Sequence, residues 1–152
     1  TFIARGSKAG KNIKVYAIDP HTGSSEHRAI NKNIDTFEEF KRNMHSLGID
    51  DIVVPIRATS AEAAKGWNKP VEHIFIDGAH EEELVRQDFD MWYPHIVDGG
   101  MIAMHDTTGR PGPTKVAKEQ IIGSGKFYDI ELSGSITFAR KKPSHLLNVI
   151  IP

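Results

Sequence analysis

"VEHIFIDGAHEEELVRQDFDMW" (residues 71–92) decides the fold of this chain. Its first six residues form a short apolar, β-rich run, and Asp77-Gly78 ends it with a turn dipeptide. From Glu81 the pattern changes. Leu84, Val85, Phe89 and Trp92 recur at spacings of three and four, which predicts one apolar helical face, and the first turn is acidic, as the helix dipole favours. A strand feeding directly into a helix is the unit of a parallel sheet. The run is fit for burial yet ends on a carboxylate and an imidazole, Asp77 and His80. A carboxylate abutting "IFI" is partly desolvated and needs a partner.

The same alternation extends in both directions. Upstream, "IKVYAIDP" (13–20) is a strand closed by proline. In "NIDTFEEFKRNMHSLGID" (33–50), Ile34, Phe37, Phe40, Met44 and Leu47 share a helical face, with Asp35 as cap and Gly48 as stop. "DIVVPIRATS" (51–60) is a second strand, and Thr59 with Glu62 has capping-box spacing ahead of a short helix ended by Gly66. Downstream, "GGMIAMHD" (99–106) is the fourth strand and "TKVAKEQIIGSG" (114–125) a short helix. "KFYDIEL" and "SITFARK" close the chain as an antiparallel hairpin around Ser133-Gly134. "TFIARGSKAG" (1–10) reads as the end of a helix stopped at Gly6.

Strands alternating with helices predict an α/β fold, a doubly wound, mostly parallel sheet covered on both faces. Ligands in such sheets bind beyond the carboxyl ends of the strands. Asp19, Ser60, Asp77 with His80, and His105 with Asp106 follow successive strands and are expected along one edge.

Composition narrows the function. The chain has 152 residues, 39% of them hydrophobic, the size of one domain with a single core. Net charge is -1 from 19 basic and 20 acidic residues, so nothing argues for nucleic acid or an anionic membrane. No apolar stretch approaches the roughly 20 residues needed to span a bilayer. The chain has no cysteine, which excludes a disulfide framework and a thiolate metal site and fits a cytoplasmic protein. A small, weakly charged partner is expected.

Each singled-out residue has a plainer reading. Asp19 before proline fits a turn, Ser60 a helix cap, Asp77-Gly78 a turn and His80 a cap on an acidic helix. His105-Asp106 shifts the balance, because a second carboxylate and imidazole end the next strand. Oxygen and imidazole ligands together suit a divalent ion. Two other motifs fail on context. Asp88-Phe89-Asp90 lies in an amphipathic helix with Phe89 toward the core, and "GSGK" (123–126) has neither a preceding strand nor a following Ser or Thr.

"IFIDGAHEEELVRQDFDMWYPHIVDGGMIAMHDTTGRPGP" (74–113) resembles the second half of a class I S-adenosylmethionine-dependent methyltransferase, in the branch of macrolide-sugar and catechol O-methyltransferases. "YAIDPH" and "RATSAEAAKGW" extend the likeness upstream, over roughly Thr1 to Lys141. The resemblance implies a Rossmann-like sheet in the order 3-2-1-4-5-7-6. It implies that Asp19 holds the cofactor ribose and that Ser60 and Ala61 lie at the adenine. Asp77 is implied on the cofactor side and as a ligand of Mg with His105 and Asp106, and His80 as the general base. His105 departs from relatives, which more often carry Asp or Glu there. Relatives also begin with a strand and a glycine-rich loop ahead of the helix that "TFIARG" matches. That first strand is therefore expected to be missing from the sequence given: either it exists upstream of Thr1, or something else fills its place, for which the tail "HLLNVIIP", from its own chain or a neighbour's in a homo-oligomer, is one candidate.

The resulting expectation is metal-assisted O-methyl transfer from S-adenosylmethionine to a small hydroxylated substrate. Two alternatives stay open. An acid after the second strand of such a fold also suits a nicotinamide-dependent oxidoreductase, and an incomplete relative could serve in assembly without catalysis.

Overall fold

The computed structural model describes residues 2–23 and 33–146. They fall into two compact units, Thr1–Lys65 and Gly66–Pro152, each with its own sheet.

The first unit contains α1 (Phe2–Ala9), β1 (Val15–Ile18), α2 (Phe37–Ser46), β2 (Val53–Ile56) and α3 (Ser60–Lys65). β1 and β2 pair in parallel, in step from Val15↔Val53 to Ile18↔Ile56. Ala4, Ile49, Ile52 and Val53 form the buried core, with Phe40 and Met44 packed against it. Thr36 rather than Asp35 holds the N-cap position of α2, Asp35 just before it accepts the Phe37 N–H at 3.1 Å, and Gly48 at φ +61° ends the turn that follows. Leu47 is exposed, because the helix has already ended at Ser46. α1 does not stop at Gly6. It runs to Ala9, and the exit is made by the Gly10 N–H on the Gly6 carbonyl and by Asn12 at φ +56°.

The second unit runs β3 (Val71–Ile76), α4 (Glu82–Trp92), a 3-10 turn (Tyr93–His95), β4 (Ile96–Met104), α5 (Pro111–Val116), a π turn (Ala117–Ile122), β5 (Phe127–Ser133) and β6 (Ile136–Lys141). The sheet order is β3-β4-β6-β5, with β3 parallel to β4 and β6 antiparallel to both its neighbours. Ile76, Ile102, Met104 and Ala139 of the sheet meet Val85 and Phe89 of α4 and Val116 and Ile121 beyond β4. Full burial of each large apolar side chain contributes about 1.5–3 kcal/mol, which makes this layer the unit's main source of stability.

Two boundaries and one buried face in this unit differ from the sequence reading. β4 begins at Ile96, ahead of the glycines, which lie inside the strand. A Cβ on Gly100 would stand 2.8 Å from both Ile96 Cγ2 and the Val97 carbonyl, and Gly99 has φ +76°, so both positions need glycine beside the shifted register of β3. Val85, Phe89 and Trp92 form the buried face of α4, while Leu84 is exposed. α5 starts at Pro111, whose fixed φ suits a first helical position.

The fold is a Rossmann-like α/β arrangement. In the second unit the antiparallel hairpin of β5 and β6 closes the sheet beyond β4, as expected. Among the described residues, no strand pairs with the outer edge of β3. The tail assigned to that place lies, from Leu147 on, outside the described residues. No helix of the described residues is long and apolar enough to cross a membrane.

Candidate active site

The site is assembled by strand register. β3 and β4 run in step to Ile76↔Met104, so the next residues out are Asp77 and His105, side by side. The His105 N–H adds one more bond, to the Ile76 carbonyl at 3.0 Å. His105 Nδ1 then lies 3.1 Å from Asp77 Oδ1. Asp106 is in the left-handed region at φ +58°, a conformation uncommon for L-residues in which aspartate is enriched. The bend places Asp106 Oδ1 3.3 Å from His105 Nδ1 and Asp106 Oδ2 3.0 Å from His80 Nε2. Four side chains drawn from two loops are thus linked in a chain of contacts, Asp77 to His105 to Asp106 to His80.

A close backbone approach holds His80. α5 packs so tightly on the loop that a Cβ on Gly112 would lie 2.2 Å from the His80 carbonyl oxygen and 2.8 Å from the Glu82 nitrogen. Only glycine fits there.

The donor set fits a divalent cation. One atom each from Asp77, His105 and Asp106 lie within 4.8 Å of one another. They border a space of about 10 Å³, together with Gly78, His80 and Met104. That volume suits a single water-sized body. His105 Nδ1 is buried and makes no hydrogen bond, although two carboxylate oxygens stand within ionic contact. Three possible ligand atoms, two carboxylate oxygens and an imidazole nitrogen, facing one small space are a donor set of the kind that holds a divalent cation.

Asp19, Ser60 and Ala61 belong to the first unit. Asp19 follows β1 and Ser60 opens α3 after β2, so within that unit they share the carboxyl edge of its sheet. Asp19 Oδ1 accepts the His21 N–H at 2.5 Å, and its own N–H bonds the Ile56 carbonyl. The capping box ahead of α3 is formed. Glu62 Oε2 accepts from the Thr59 N–H and hydroxyl at 2.9 and 2.7 Å, and the Thr59 oxygen accepts the Glu62 N–H.

Sequence reasoning missed three residues that support the second unit's site. Gly112 is one. Ser135, at the hairpin tip, has its hydroxyl 3.1 Å from His105 Nε2. Thr107 bonds the Ser135 carbonyl through both its N–H and its hydroxyl, at 2.9 and 3.1 Å, and pairs with the Thr137 hydroxyl at 2.7 Å. The only sequence signals are a glycine between two prolines and a Gly-Ser turn, and neither states what it touches. Asp88-Phe89-Asp90 carries a buried Phe89, as its helical context predicted.

A family model described as a methyltransferase domain matches residues 1–107. The chain belongs to that family. Solved structures agree on the fold. The O-methyltransferase NovP superposes with a TM-score of 0.74 at 14% identity, over 91% of this chain and 64% of NovP. CalS11, a TDP-rhamnose 3'-O-methyltransferase of calicheamicin biosynthesis, gives 0.65 at 10% identity, over 91% of this chain and 65% of CalS11. The MycE methyltransferase, solved with Mg, SAH and mycinamycin VI, gives 0.53 at 16% identity, over 99% of this chain and 51% of MycE. The chain thus spans less than two thirds of these methyltransferases. Membership of the family sets the nicotinamide reading aside.

Proposed function

We propose that this member of the methyltransferase family carries out divalent-metal-assisted O-methyl transfer from S-adenosylmethionine to a small hydroxylated substrate. The observation that carries the reading is the contact set among Asp77, His80, His105 and Asp106 beyond β3 and β4. The family match and the likeness to O-methyltransferases support it, as does the presence of Mg and SAH in MycE.

When bound, the sulfonium cofactor supplies an electrophilic methyl group, and a divalent ion lowers the pKa of the acceptor hydroxyl. Asp19 would accept the two ribose hydroxyls, with Ser60 and Ala61 at the adenine. Asp77, His105 and Asp106 would hold the ion, Asp77 on the side facing the cofactor. With His80 Nε2–H donating to Asp106, His80 Nδ1 is the atom that takes the acceptor proton. Asp106 then fixes the orientation of that ring while it shares the ion. Most of the acceleration in such a displacement comes from alignment, so the closeness of His80 to the ligands matters more than its basicity alone.

The test uses the full-length protein. Calorimetry should register binding of S-adenosylmethionine, and methyl transfer to catechol-type and sugar hydroxyls should fall at least about 100-fold with chelator or with Asp77→Ala. Transfer untouched by both would remove the metal from the mechanism. Absence of cofactor binding would remove the transfer reading.

A further inference from the structure

The ring of His105 has its two nitrogens in different surroundings. Nε2 faces the Ser135 hydroxyl at 3.1 Å, while Nδ1 faces Asp77 and Asp106 without a hydrogen bond. The Ser135 side is built firmly. The Thr107 hydroxyl has one proton and gives it to the Ser135 carbonyl, so the Thr137 hydroxyl must be the donor in their 2.7 Å pair. Both threonines are buried. Gly134 at φ +59° allows the tight turn that presents Ser135 to the ring. The hairpin tip is therefore clamped to the residue two beyond His105.

A proton on Nδ1 would find no in-line acceptor and would be a buried, unsatisfied donor. A proton on Nε2 finds the Ser135 oxygen. The Ser135 hydroxyl can accept from Nε2–H or donate to a bare Nε2, so the missing acceptor at Nδ1 is what favours the Nε2–H tautomer. Ser135 gives that proton its acceptor, as partners of this kind do for metal-ligating histidines, and the Nδ1 lone pair is left directed at the two carboxylates.

We infer that His105 Nδ1, held in this tautomer by Ser135, tunes the site to a transition-metal ion such as Co(II), Ni(II), Fe(II) or Zn(II) in preference to Mg(II). The inference rests on the reading of Asp77, His105 and Asp106 as metal ligands. Mg(II) favours oxygen donors and gives up water reluctantly for anything else. Imidazole suits the later first-row ions, whose affinity for mixed nitrogen and oxygen sites rises from Mn(II) to Ni(II). Exchanging one carboxylate for imidazole also lowers the negative charge on the ligands, which costs a hard ion most. Ser135 is a positioning residue: it acts through the ring.

The experiment is titration of the full-length protein with each ion alone, without cofactor or acceptor, read by calorimetry and by the visible absorption of bound Co(II). Co(II) and Ni(II) should bind at least about tenfold more tightly than Mg(II). His105→Asp should bring the ratio to within about threefold by weakening Co(II) and strengthening Mg(II). Ser135→Ala should weaken Co(II) binding about 10–100-fold, and Ser135→Thr should restore it. Long-range proton–nitrogen spectra of the ion-free protein should show His105 protonated at Nε2, and a mixture of tautomers in Ser135→Ala. A purely structural role for Ser135 would not move that spectrum.

Mg(II) binding as tightly as Co(II), with the ratio unchanged in His105→Asp, would overturn the inference, as would an Nδ1–H tautomer. Binding of no ion would overturn it together with the metal part of the proposed function. Because these titrations contain no cofactor, failure to bind S-adenosylmethionine would count against methyl transfer alone.

Discussion

Gly112→Ala sets local preference against tertiary contact. Gly112 lies in the first turn of α5, where alanine is a better helix former by about 1 kcal/mol. Considered alone, α5 should be stabilised. The new methyl group, however, would meet three backbone atoms: the His80 carbonyl oxygen at 2.2 Å, the Glu82 nitrogen at 2.8 Å and the Glu82 Cα at 3.1 Å. None of these is a side chain that can swing away. An ordinary carbon–oxygen contact needs more than about 3.2 Å, so helix and loop must part by about 1 Å. Overpacking of this kind costs about 1–3 kcal/mol, which matches or outweighs the propensity gain. Net destabilisation of up to about 2 kcal/mol should lower Tm by up to roughly 8 °C in a chain of this size. The larger effect is on His80. A shift of about 1 Å in the proposed base costs about 100-fold in turnover. Differential scanning calorimetry and steady-state kinetics on the same preparation give both numbers. A variant with higher Tm and wild-type kcat would show that the loop yields without moving His80, and would refute this account of its placement.

Other expectations follow from the same contacts. Thr107→Val keeps the shape but removes the part-buried bond to the Ser135 carbonyl and the buried one to the Thr137 hydroxyl, which it strands; denaturant unfolding should show a loss of about 1–3 kcal/mol. Lys141 is buried, with Nζ 2.7 Å from the Ile96 carbonyl and 4.5 Å from the centre of the Tyr93 ring. Lys141→Met should cost about 2 kcal/mol in the same assay, because charge-assisted bonds to backbone are lost and the carbonyls stay buried. Asp98 is held below the usual carboxylate range by the Ser144 N–H and then by the Ser144 hydroxyl. Its folded value is depressed, so its contribution is present above the ordinary carboxylate pKa and is lost as pH falls through the lower folded one. The amide resonance of Ser144 should therefore titrate on that acid limb, and a midpoint at or above the ordinary Asp value would contradict the contact.

The elements of this chain were legible because their signals are local. The spacing of Val85, Phe89 and Trp92, the Thr59–Glu62 box and the Gly134 turn each depend on neighbours a few residues away. Even there, periodicity could not decide that Leu84 is exposed while Val85 is buried, since adjacent helical positions differ by only about 100° and the packing partner chooses between them.

The candidate site divides in the same way. The sequence alone determined which residues leave the carboxyl ends of β3 and β4, and so named Asp77, His80, His105 and Asp106. Tertiary structure decided their chemistry. In-step pairing of Ile76 with Met104 set Asp77 against His105, and the left-handed turn at Asp106 brought its carboxylate between two imidazoles. Gly112 and Ser135 reach the site from 32 and 30 positions away from the residues they contact, His80 and His105. Distances of a few ångströms between parts of the chain so far apart depend on the whole core closing, and no local pattern encodes that.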